Sequence, residues 1–150
     1  MLLSTFIATH HREILTEWDN FAEKLFAGSK KPSHFLLRDH AAEILRELVL
    51  DMQKKESAQQ QRKKSMGALL PPHLFETAAD IHGTLRQDAG LSISFLFAEY
   101  RALRASVFAL WLPKIVSLRE EHFGEILRFN EAIDDAIADS LATFEISRAA

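Results

Sequence analysis

The sequence predicts an all-α domain of about five helices, on three observations. Apolar residues recur at alternating spacings of four and three through most of the chain, which is the period of one helix face. Gly and Pro together number only 9 among 150 residues, and most of them fall where that period lapses. No segment shows the two-residue alternation of a strand bounded by turn signals. There is also no internal repeat and no Gly-rich phosphate loop.

The elements follow in order. Ile7, His11, Ile14, Trp18, Phe21 and Leu25 mark one face of the first helix. Ser4 is its expected cap, and Gly28-Ser29 with Pro32 stop it. A second helix is expected from Ser33, with Leu37, Ile44, Leu48 and Met52 as the buried stripe. From Gln53 to Pro72 the period lapses into a long loop, a class of segment that is often functional. The third helix is expected from about His73 to Asp88, with Phe75, Ala78, Ala79, His82 and Leu85 on one side and Gly90 as its stop. The fourth starts near Ser92 and presents Leu96, Tyr100, Leu103, Val107 and Leu110; Pro113 should kink or end it. The fifth runs from about Glu120 to Ile146, with Ile126, Asn130, Ile133, Ile137, Ser140 and Phe144 in register.

Composition narrows the function classes. The chain carries 18 basic and 21 acidic side chains, a formal net charge of −3, and 47% of its residues are hydrophobic. That balance gives no general reason to bind nucleic acid or an anionic membrane, so neither is an expected partner. One domain spanning residues 1–150 buries about 68–70% of its unfolded surface and needs no disulfide or metal to hold together. With no Cys, disulfide scaffolds, Cys-type zinc sites and thiol catalysis are excluded. The stretch from Leu91 to Leu112 is interrupted by Glu99, Arg101 and Arg104, so it is no membrane span. The start lacks the basic region of a signal peptide, and a cytoplasmic location is the expectation.

Seven histidines invite a metal or haem reading. His11, His40 and His82 fall on or beside apolar stripes, where a neutral imidazole either ligates a metal or donates to a carbonyl or carboxylate. No pair sits at the i, i+4 spacing of a helical metal site, and no metal ligand is assigned. His82 precedes Gly83 in mid-helix, a residue that costs roughly 1 kcal/mol against Ala. A helix accepts that cost where another backbone, side chain or ligand must approach closely. Tyr100 lies on the apolar stripe and needs a partner for its hydroxyl. Glu99, Arg101 and Arg104 flank it and can pair with Arg38, Asp39 and Arg86, forming either a polar pocket for a small anion or an interhelical salt-bridge network. Lys54, Lys55, Arg62, Lys63 and Lys64 face a single acid, Glu56, and suit a phosphate-bearing partner or a solvated loop. In the last helix, Ile126, Asn130, Ile133, Ile137 and Phe144 form either a dimer seam with a register-setting Asn or an ordinary packed face. Adjacent carboxylates diverge on a helix, and no Ser stands in a nucleophile-elbow context, so no enzyme is expected.

Five segments together carry a resemblance: Arg12-Glu13-Ile14-Leu15 with Trp18; Leu37-Arg38-Asp39-His40-Ala41; Ala78-Ala79-Asp80-Ile81-His82-Gly83; Glu99 to Val107 through Trp111; and Arg128-Phe129-Asn130-Glu131-Ala132-Ile133-Asp134. In this order they resemble the N-terminal sensory domain of RsbR/RsbRD-type stressosome co-antagonists, in the version that opens many bacterial sensor histidine kinases. The resemblance implies a globin-like helical input domain without haem and a last helix leading to a kinase or STAS-type output module; with the seam of the last helix, the expectation is a homodimer without a cofactor. It implies no kinase activity, because the phosphoacceptor and ATP-binding motifs are absent. Arg38, His40, His82, Glu99, Tyr100 and Arg104 belong to the shared motifs, so the resemblance implies that they share a polar core or pocket. The alternative is a sensor that holds a small ligand, metal or haem at His82.

Overall fold

The computed structural model describes residues 1–25, 34–54, 66 and 76–149. Six α-helices occur among the described residues: α1 Leu3–Thr9, α2 His11–Leu25, α3 His34–Gln53, α4 Ala78–Asp88, α5 Ile93–Trp111 and α6 Glu120–Ala149. A 3-10 turn, Leu112–Lys114, follows α5. No strand occurs among the described residues, and no helix there is long and apolar enough to cross a membrane.

The all-α expectation holds among the described residues, and the first predicted helix is there two, α1 and α2. The first segment breaks at His10, whose backbone leaves helical geometry at φ −116, ψ 24. Thr9 Oγ1 donates back to Thr5 O at 2.9 Å and meets His10 Nδ1 at 2.8 Å. Such local side-chain bonds give the backbone an alternative to the helix ladder. The apolar rhythm runs through the break because Ile7 on α1 and Ile14 on α2 face the same core. Ser4 is not the cap of α1. It sits inside the first turn, where its backbone N–H donates to the Glu125 carboxylate of α6 at 2.9 Å.

Other termini follow their chemistry. Helix α4 starts at Ala78, later than the expected His73; residues 73–75 lie outside the described residues, as do most of the expected loop and its basic run. Thr77 and Asp80 form a reciprocal capping box, which satisfies two first-turn donors at once. Ser92 caps α5 through the Phe95 N–H at 3.3 Å. Gly90 turns the chain between α4 and α5 at φ 74, a conformation that a Cβ disfavours. Pro113 ends α5, as expected, and lies in the 3-10 turn.

The buried apolar side chains of the described residues form one cluster. From α5 it takes Leu96, Tyr100, Leu103, Val107 and Trp111; from α6 it takes Phe129, Ile133 and Phe144. Each large apolar side chain fully buried contributes about 1.5–3 kcal/mol. Trp111 Nε1 donates to Met1 O at 3.1 Å, and Phe108 meets Phe129 edge-on at 5.2 Å. Helix α6 lies against α4, α3, α5 and α1, so the last helix touches most of the domain.

Candidate functional site

On α4, His82 and Arg86 stand at i, i+4 and therefore share a face. That face turns inward, onto Glu99 of α5. The three side chains are 3%, 1% and 2% exposed, respectively, a depth at which charges persist only when paired. Arg86 grips the carboxylate with two bonds, Nε to Oε1 at 2.7 Å and Nη2 to Oε2 at 2.9 Å. His82 Nε2 lies 3.3 Å from Oε2. Burial pushes the Glu99 carboxyl up, but the hydrogen bonds and charges of His82 and Arg86 outweigh it and hold the group below the usual carboxylate range. From α2, Trp18 Nε1 donates to the Glu99 backbone carbonyl at 3.2 Å.

The neighbouring residue extends the network to α6. Tyr100 OH and Ser140 Oγ are 2.7 Å apart, and Ser140 Oγ donates to Ala79 O of α4 at 2.6 Å. Since Ser140 spends its proton there, the Tyr100 hydroxyl is the donor between them. Burial pushes the Tyr100 pKa above the ordinary phenol value, against the pull of the Ser140 bond. One turn along, Thr143 Oγ1 donates to Asp80 O at 2.6 Å. Gly83 accounts for this closeness. A Cβ built on it would stand 2.0 Å from Ser140 O and 2.3 Å from Thr143 Oγ1. The close approach expected at Gly83 is therefore to the backbone of α6.

The cluster is packed shut. A void of about 10 Å³ remains between Trp18, Ala41, Ile44, His82, Glu99, Tyr100 and Leu103, room for one water at most. His82 Nδ1 is buried without a hydrogen-bond partner among the described residues. His40 is half-buried, its ring edge-on to His82 at 6.4 Å, and Tyr100 meets His82 similarly at 5.6 Å. Among the described residues no three His, Asp or Glu are grouped to hold a metal ion.

The structure thus brings together His82, Glu99, Tyr100 and, at its margin, His40. Arg104 faces elsewhere and pairs with Asp134 of α6 at 2.8 Å. Arg38 lies on α3 where side chains are outside the described residues. Of the seam candidates, Ile133 and Phe144 are buried within the chain, whereas Ile126, Asn130 and Ile137 are half-buried. Sequence reasoning assigned no role to Trp18, Ser140 or Thr143 in the cluster. The one signal for Ser140 was a polar residue on an otherwise apolar stripe. No family model, no curated protein and no solved structure matches the chain.

Proposed function

We propose that the chain is a non-enzymatic, cytoplasmic signal-sensing input domain of a bacterial signal-transduction protein, of the RsbR type it resembles. In this reading it is a globin-like homodimer that passes its state through α6 to a downstream kinase or STAS-type output module. The observation that supports the reading is the junction of α4, α5 and α6. The buried Arg86–Glu99–His82 cluster and the Tyr100–Ser140–Ala79 chain share α4 and α5, so disturbing one reaches the other.

Physics favours two discrete states at such a junction. Removing one member of a buried ion pair leaves an uncompensated charge at a cost of about 3–5 kcal/mol, which penalises partly opened arrangements. A signal shifts the balance only by binding the two arrangements with different affinity. A second reading, a small-ligand, metal or haem sensor at His82, rests on the unpartnered Nδ1; any ligand larger than a water must part the helices to reach it.

A native mass spectrum of the purified chain tests both readings. A dimer at the bare chain mass is expected. Added mass that disappears in His82→Ala would move the second reading ahead, and a monomer at every concentration would contradict the dimeric output.

A further inference from the structure

A second site lies at the other end of α6, where the chain turns from α5 into the last helix. A pocket of about 350 Å³ opens there, with Lys114, Arg119 and His122 on its polar side and Ile115 and Val116 as an apolar wall. We propose that this pocket binds a small organic oxyanion, a carboxylate or phosphate head on a short apolar body, with Lys114, Arg119 and His122 as its donors.

His122 carries the argument. Its side chain is only 6% exposed, and Nδ1 accepts the Arg119 backbone N–H at 2.9 Å. That bond fixes the tautomer: the ring proton sits on Nε2. Nε2 makes no hydrogen bond among the described residues, yet it is not one of the atoms sealed from solvent. His122 lines the pocket, and Nε2–H is the one ring donor it has left to offer there. The edge of the ring packs on Trp111 at 5.9 Å, which holds it in place.

Charge and helix geometry add to this donor. Neither Lys114 nor Arg119 forms an ion pair within the described residues. The pocket sits at the N-terminus of a 30-residue helix, where the macrodipole favours an anion, although the His122 N–H is already bonded to Arg119 O at 3.0 Å. Glu121 also lines the pocket and opposes an anion there, which gives the proposal a sign test. The apolar wall explains why the space exceeds a bare ion.

The test is an amide and imidazole NMR titration of the whole chain at constant ionic strength, with inorganic phosphate and butyrate as separate probes. Saturable shifts at residues 119–122 and at the His122 imidazole are expected for at least one probe, with a Kd of about 1 mM or tighter. The probe that binds identifies the head group. Lys114 and Arg119 are exposed, so replacing both by Ala leaves the fold intact and should weaken binding at least ~10-fold, as loss of charge-assisted bonds requires. Glu121→Gln should tighten it. Shifts that do not saturate, or an affinity unchanged in the double variant and in Glu121→Gln, would overturn the proposal.

Discussion

Replacing Gly83 with Ala adds one methyl group at the tightest point of the fold. The new Cβ would stand 2.0 Å from Ser140 O, more than an ångström inside van der Waals contact. That neighbour is helix backbone and has no rotamer to change, so α4 and α6 must separate. Separation stretches Ser140 Oγ to Ala79 O and Thr143 Oγ1 to Asp80 O, both 2.6 Å. Leaving buried polar groups unpaired costs about 1–3 kcal/mol each, against roughly 1 kcal/mol gained from the better helix propensity of Ala. The net loss is about 1–5 kcal/mol. Urea denaturation measures it, and at about 2–4 °C per kcal/mol for a chain of this size the melting temperature falls by roughly 2–20 °C. A neutral or stabilised Gly83→Ala protein would refute the close packing of α4 on α6.

Three further predictions concern the cluster and its neighbour Tyr100. Glu99→Gln leaves the buried Arg86 unpaired and should cost about 3–5 kcal/mol, most of which Arg86→Met in the same chain restores; equilibrium unfolding of the single and double variants checks this. The depressed Glu99 group contributes stability above the ordinary carboxylate range and loses it as pH falls through its lower folded value; acid titration by circular dichroism should show a smaller acid-induced loss in Glu99→Gln. For Tyr100 the sign is opposite: its raised pKa contributes stability that is full below pH ~10 and is lost as pH rises, because the unfolded chain ionises first. In Tyr100→Phe the slope of stability against pH in that alkaline range should flatten.

Much of the architecture is legible in the sequence where local chemistry decides it. Ser92, the stripe from Leu96 to Val107 and Pro113 define α5 without reference to any neighbour. The break at His10 is hidden because a single non-helical residue does not disturb an apolar rhythm that serves one core. The Thr77–Asp80 capping box escaped because the apolar pattern upstream drew the helix start to His73. Gly83 announced a close approach, but only the packed helices reveal that Ser140 is the neighbour. The four-three rhythm of α6 marks a buried face without saying whether it meets a second chain or this one, and for Ile133 and Phe144 it meets this one. Arg86 and Glu99 were legible as candidates for pairing, but their bidentate geometry depends on the angle between α4 and α5, which no spacing encodes.

The Glu99 cluster and the seat of α6 should behave energetically as one unit. A double-mutant cycle with Glu99→Gln and Ser140→Ala, read by urea denaturation, tests it most directly. Coupled residues in one network depart from additivity by about 0.5–3 kcal/mol, and a departure of about 1 kcal/mol or more is predicted here. Additivity within about 0.3 kcal/mol, the behaviour of independent sites, would contradict the claim.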